Sequence, residues 1–132
     1  MVVHACHCTD CQRVTGSAFV INAWIEKDQV ELLAGAPASF RFADKGRNNS
    51  VHFCPQCGTY VWTEYRPGYW FVRVGALDDP KAFAPDVHIF TRSKQPWLEL
   101  RGDVPVFEAY YDRNLVWRPE SLARFRSVEA GL

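Results

Sequence analysis

The chain has no continuous apolar run of the ~18 residues that a membrane-spanning helix requires, and its opening, Met1-Val2-Val3-His4, lacks the charged-then-apolar build of a secretory signal. These absences predict a soluble, cytoplasmic protein. Neither sign of charge is in excess. Fifteen Lys and Arg face fifteen Asp and Glu, for a formal net charge of zero and a pI near 6.9. Such a balance attracts neither nucleic acid nor an anionic membrane surface, so neither is an expected partner. Internal repeats, low-complexity tracts and obvious linkers are also lacking. At 132 residues, 48% hydrophobic and 14% aromatic, the chain is too apolar to be disordered and too short for two ordinary domains, which predicts one packed core.

Cysteine is scarce but grouped. The five fall into Cys6-x-Cys8-x-x-Cys11 and Cys54-Pro-Gln-Cys57-Gly58. An odd number cannot all pair within one chain, and in a reducing compartment such spacings read as metal or redox sites. Thiolates two and three residues apart can converge on one ion, and zinc is the default metal for them. Three thiolates leave either an open coordination position or a missing partner. Strand-like alternation aims Cys6 and Cys8 to one side and His7 away from them, with Cys11 returning over the next turn. His4 could share the side of Cys6, but a histidine so near the terminus is expected to be solvated. The redox alternative needs a Cys-x-x-Cys that opens a helix. Pro55 and Gly58 instead predict a turn, with φ > 0 at Gly58.

Most of the remaining local signals are those of strands. Residues 18–25, 30–33, 39–42, 51–53, 60–65 and 70–74 are short, β-branched and aromatic, and are separated by Gly, Pro, Asp or Asn. Phe40 and Phe42, and Val72 and Val74 beside Phe71 and Arg73, alternate with period two, which predicts a mainly antiparallel β domain. Turns are expected at 45–49 and 66–68, and Asp78-Asp79-Pro80 reads as a capped loop rather than a carboxylate pair for a hard metal. Trp62, Trp70 and Trp97 are expected in the core. After Tyr111 the pattern changes. Pro119, with Leu122 and Phe125 three apart, predicts a short helix in a C-terminal extension, 112–132, beyond a domain of residues 1–111. The stretch Arg13-Val-Thr-Gly-Ser17 can present N–H groups, hydroxyls and a guanidinium to a carboxylate-bearing ligand; the alternative is an ordinary turn into the next strand.

The segments Cys6-His-Cys-Thr-Asp-Cys-Gln-Arg-Val-Thr-Gly-Ser-Ala-Phe19, Phe53-Cys-Pro-Gln-Cys-Gly-Thr59, Gly75-Ala-Leu-Asp-Asp-Pro80, His88-Ile89, Ser93-Lys-Gln-Pro-Trp-Leu98 and Pro105-Val-Phe107 occur in that order. Together they resemble the glutathione-dependent formaldehyde-activating enzyme family, also called the CENP-V/GFA domain, over roughly residues 4 to 110. The resemblance implies an Mss4-like β fold and a carbon–sulfur lyase activity interconverting formaldehyde plus glutathione with S-hydroxymethylglutathione. It implies a catalytic zinc on Cys6, Cys8 and Cys11. It also implies a structural zinc on Cys54 and Cys57, completed in the family by a Cys-x-Cys pair upstream of the catalytic cluster. This sequence begins at Met1 without that pair, so a short form lacking the first strand and half of the second site is expected. His52 stands where many relatives carry Arg, as a changed anion contact or a substitute ligand.

Zinc with three thiolates carries a formal charge of about −1 and is a weak Lewis acid, better suited to keeping a fourth thiolate deprotonated than to making hydroxide. That fourth ligand would be glutathione or another small thiol. Arg13, Thr15, Gly16 and Ser17 are the residues expected to contact a glutathione carboxylate, and His7 and His88 are proton-donor candidates by residue type. Two alternatives stay open: the same chemistry on another thiol or carbonyl compound, and a noncatalytic zinc module that binds a protein partner.

Overall fold

The computed structural model describes residues 1–41, 49–100 and 102–132. These form a seven-stranded sheet in the order β3-β4-β5-β6-β2-β1-β7, built from Val2–Cys6 (β1), Val20–Glu26 (β2), Ala38–Arg41 (β3), Ser50–Phe53 (β4), Tyr60–Arg66 (β5), Tyr69–Arg73 (β6) and Val87–Ile89 (β7). The helices are Thr9–Thr15 (α1), Arg113–Val116 (α2) and Pro119–Gly131 (α3). The protein is mainly β. Every ladder is antiparallel except β1 with β7, which run parallel and pair His4 with Val87 and Cys6 with Ile89.

Period-two patterning accounts for β2, whose residues alternate buried and half-buried from Val20 to Glu26. Register then collects one face. Val2, His4 and Cys6 of β1 lie beside Trp24, Asn22 and Val20 of β2, and Asn22 and Trp24 lie beside Arg73 and Phe71 of β6. At one end of this face the C-terminal segment packs down. The Trp117 ring stands edge-on to Trp24 at 5.0 Å, Phe125 stacks on Tyr69 at 5.4 Å, and the Tyr69 hydroxyl donates to the Phe125 carbonyl at 3.1 Å. Truncating a buried tryptophan such as Trp24 typically costs about 3–5 kcal/mol, so this aromatic cluster is a principal source of stability. Residues 112–132, expected as an extension, thus share the core with β1, β2 and β6.

The β5–β6 hairpin turns at Gly68, where φ is +79° and an added Cβ would lie 3.1 Å from Val128 of α3. Both the turn and the close approach of the helix require glycine there. The expected turn over 66–68 is therefore present, and the expected C-terminal helix is longer than the pattern predicted. Asp79 caps the short 3-10 turn Pro80–Ala82 by accepting from the Lys81 amide at 3.1 Å.

Three expectations need correction. Residues 30–33 are not a strand: they follow the 3-10 turn Lys27–Gln29, join no ladder, and leave Leu32 and Leu33 exposed. Trp97 is 70% exposed rather than in the core, because it sits in a loop over which no described element packs, whereas Trp62 stacks between His52 and Trp70. Residues 2–6 form an inner strand, so His4 is buried rather than solvated. Phe42 and residues 45–48 of the turn expected at 45–49 lie outside the described residues. Among the described residues, no helix is long and apolar enough to cross a membrane.

Candidate metal centre and substrate cavity

Cys6 ends β1, Cys8 caps α1, and Cys11 lies in the first turn of that helix. A seven-residue helix that buries none of its residues has no apolar stripe to reveal it, and its cap is a thiol rather than Ser, Thr, Asp or Asn. The stretch around Arg13 is therefore helical to Thr15 and becomes a turn only at Gly16. The Sγ atoms of Cys6, Cys8 and Cys11 all lie within 4.8 Å of one another. Four-coordinate zinc with Zn–S bonds of about 2.3 Å would set sulfurs about 3.8 Å apart, so the three thiols need only close slightly to hold a metal ion.

Crowding of the thiols drives their ionisation apart. Hydrogen bonds from Cys11 and Cys6 pull Cys8 down to about 2. Cys11 lowers Cys6 by hydrogen bonding, but Cys8 and burial outweigh it and leave Cys6 at about 12. Hydrogen bonds with Cys6 and Cys8, together with burial, raise Cys11. A set of three soft donors competing for protons at one point is chemically suited to a thiophilic cation such as zinc.

The loop carrying these cysteines is held from outside. Gln12 Nε2 donates to the His7 carbonyl at 2.7 Å and to the Ser93 carbonyl at 2.8 Å, and its Oε1 accepts from Gln95 Nε2 at 2.7 Å. Ser93 Oγ adds a bond to the His7 carbonyl at 3.0 Å. Residues 93–95 thus clamp the turn between Cys6 and Cys11. The His7 ring points away from the thiols, as alternation predicted, and its Nε2 lies 3.0 Å from His88 Nδ1. Neither histidine lines the cavity beside the cysteines.

That cavity measures about 460 Å³. Besides the three cysteines, its walls include His4, Tyr65, Phe71, Phe90 and Tyr110, with Asn22, Thr63 and Arg73 on the sheet side. Phe90 has φ of +55°, a conformation that L-residues with a Cβ rarely adopt and that recurs where a site over-determines the backbone. Trp117 Nε1 donates to the Tyr111 hydroxyl oxygen at 2.6 Å, and His4 Nε2 shares a second hydrogen bond with that hydroxyl, also at 2.6 Å. Burial holds His4 down at about 4, so its ring is neutral.

A second cavity of about 590 Å³ is bordered by Thr15, Ser17, Gly58, Thr59 and Tyr60, and shares Val14 and Arg73 with the first. Arg13 is exposed and borders neither cavity, while Thr15 Oγ1 bonds back to the Cys11 carbonyl at 2.7 Å. The Cys54–Cys57 knuckle has the expected form: the Gly58 amide bonds to the Cys54 carbonyl at 2.8 Å and Gly58 has φ of +73°. Cys54 and Cys57 do not belong to the cluster of converging ligand atoms. His52 Nε2 donates to Glu64 Oε1 at 2.9 Å and its ring stacks on Trp62, which ties it up within the sheet.

The three cysteines, grouped by their spacing, do converge, and His4, expected to be solvated, lines the cavity beside them; Asn22, Thr63, Arg73 and Tyr110 in the same wall carried no motif in the sequence. The alternation of Phe71 with Arg73 placed both on one face, and an arginine sharing a face with an aromatic was the available signal. Residues 1–93 match the family described as GFA, glutathione-dependent formaldehyde-activating enzyme. None of the curated proteins searched matches the chain. The family match takes in 93 of the 132 residues and includes the cysteine triad, its Ser93 clamp and Arg73, and by it the chain belongs to the glutathione-dependent formaldehyde-activating enzyme family.

Proposed function

We propose that the chain is a zinc-dependent carbon–sulfur lyase that interconverts glutathione plus formaldehyde with S-hydroxymethylglutathione, or acts on a closely related thiol adduct, in a reducing, cytoplasmic setting. The observation that carries the reading is the convergence of Cys6, Cys8 and Cys11 on one wall of a cavity large enough for an organic ligand, in a chain of this family. Zinc held by three thiolates supplies a position at which a substrate thiol stays deprotonated at neutral pH.

The chain's own residues do the rest. The clamp of Gln12, Ser93 and Gln95 keeps the cysteines at fixed separation. Tyr65, Phe71, Phe90 and Tyr110 limit the water around the reacting carbon. Addition of a thiolate to formaldehyde already proceeds in water, so orientation and a high local thiolate concentration are the main requirements. Thiolate sulfur attacks the carbonyl carbon, the carbonyl electron pair moves to oxygen, and a proton from water completes the hydroxymethyl group. Thr15 and Ser17, which border the second cavity on either side of Gly16, are where the far end of a peptide thiol would lie, whereas Arg13 is exposed and borders neither cavity. A closed four-ligand zinc with no cavity would have favoured a protein-binding module, and the cavity supports the enzymatic reading.

Cys8→Ser is the direct test, because a neutral hydroxyl is a poor replacement for a thiolate. Metal analysis should show loss of zinc from the purified variant, and exchange spectroscopy by NMR should show loss of the accelerated interconversion of free and glutathione-bound formaldehyde. Full zinc content in the variant would remove the metal assignment. Zinc-loaded native protein with no acceleration would remove the lyase assignment alone.

A further inference from the structure

Arg73 is a buried cation whose polar partners are both neutral. It is 8% exposed, its Nη1 donates to Asn22 Oδ1, and its Nη2 donates to Thr63 Oγ1 at 3.0 Å. Among the described residues no carboxylate pairs with it, and its Nε has no hydrogen-bond partner. A buried guanidinium is ordinarily matched by a carboxylate, because leaving a charge or a donor unsatisfied away from water is costly. Arg73 is also the charged side chain that borders both cavities.

Asn22 on β2 and Thr63 on β5 flank β6 on either side, so the two bonds fix the guanidinium over the sheet, in the wall of the cavity that the three cysteines also line. In the register, Arg73 lies two strands across from β1 and one two-residue step along from Cys6. That puts their Cα atoms about 12 Å apart, with both side chains on the same face. Side chains projecting inward from the two positions shorten that separation, and Arg73 lines the same cavity as the three cysteines, so a charged group a few bonds from a sulfur held there comes within reach of the guanidinium.

We propose that Arg73, held by Asn22 and Thr63, is the carboxylate-recognition residue for the substrate, selecting thiols that carry a carboxylate several bonds from sulfur over uncharged thiols. The inference rests on the proposed function, in which the substrate sulfur sits at Cys6, Cys8 and Cys11. A substrate carboxylate gives the guanidinium the charged hydrogen-bond acceptor that the described residues do not supply, and the planar fork accounts for arginine rather than lysine at this position.

Calorimetric titration of the purified full chain with its native metal, using glutathione and glutathione diethyl ester, tests this. Native protein should bind glutathione roughly 10- to 100-fold more tightly than the ester, the range expected for a charge-assisted bond shielded from water. Arg73→Gln should bind both thiols alike, near the affinity of the native protein for the ester, and Arg73→Lys should fall between. Equal binding of the two thiols by native protein would overturn the proposal and leave the thiol reading standing. A parallel loss of both in Arg73→Gln, or an undiminished preference for glutathione, would also overturn it, the first by making Arg73 merely structural. Should Arg73→Gln fail to fold, the native comparison and Arg73→Lys still decide. Native protein that binds neither thiol would overturn the proposed function, and this inference with it.

Discussion

Tyr111 shows how a single buried hydroxyl can organise several residues. Its oxygen accepts from Trp117 Nε1 and the hydroxyl shares a hydrogen bond with His4 Nε2, so one hydroxyl satisfies two otherwise orphaned nitrogens and holds a histidine in the cavity wall. Tyr111→Phe would leave both nitrogens unpaired away from water. Urea denaturation should show a loss of about 1–3 kcal/mol in unfolding free energy, with zinc content unchanged. A loss below about 0.5 kcal/mol would mean that water reaches the nitrogens and that the chain of bonds is not what holds His4. The contrast with the cysteines is physical. Their convergence is set by covalent spacing and one turn of chain, which a sequence displays, whereas the burial of His4 depends on Tyr111, more than a hundred residues later.

Between elements, one of the bonds that tie α3 to the sheet is the two-pronged pair from Arg124 Nε and Nη2 to the Glu26 carboxylate, at 2.7 and 2.6 Å. Burial opposes ionisation of Glu26, but the hydrogen bonds and charge of Arg124 outweigh it and hold the carboxyl below its ordinary value. A folded-state pKa below the unfolded one means that the unfolded chain takes up the proton more readily. The stabilisation is therefore fully present above about pH 5 and is lost as pH falls through the unfolded and then the folded pKa. Denaturant titrations should show native stability declining from about pH 5 downward more steeply than that of Glu26→Gln, whose curve lacks this component. Identical slopes would place the acid sensitivity elsewhere. Elements with their own periodicity, such as β2 and α3, were legible. Residues 30–33 carried strand-like residues but found no partner, and α1 lacked an apolar stripe, so local pattern misled in both directions.

At the scale of the molecule, the two cysteine groups are separate. Three ligand atoms converge at Cys6, Cys8 and Cys11, while Cys54 and Cys57 offer two thiols outside that cluster. Half of a tetrahedral site gives up most of the coupling between metal binding and folding, so the chain should carry one zinc. Native mass spectrometry should give a single tightly held zinc per chain, retained in a Cys54→Ser, Cys57→Ser double variant and absent in Cys8→Ser. Two equally tight zinc ions per chain would show that Cys54 and Cys57 find their remaining ligands after all.

What the sequence determined by itself was everything that rests on neighbours along the chain: the metal-type spacing of the cysteines, the Cys54–Cys57 turn with its left-handed Gly58, the strands with clear alternation, and the C-terminal helix. Tertiary structure decided what rests on neighbours across the sheet. Parallel pairing with β7 makes residues 2–6 an inner strand and buries His4. Packing of Trp117 and Phe125 on Trp24 and Tyr69 joins the C-terminal residues to the core. Arg73 acquires its meaning only from Asn22 on one flanking strand, Thr63 on the other and the cysteines two strands away, since a side chain's charge is written in the sequence but its solvent and its partners are assigned by the fold.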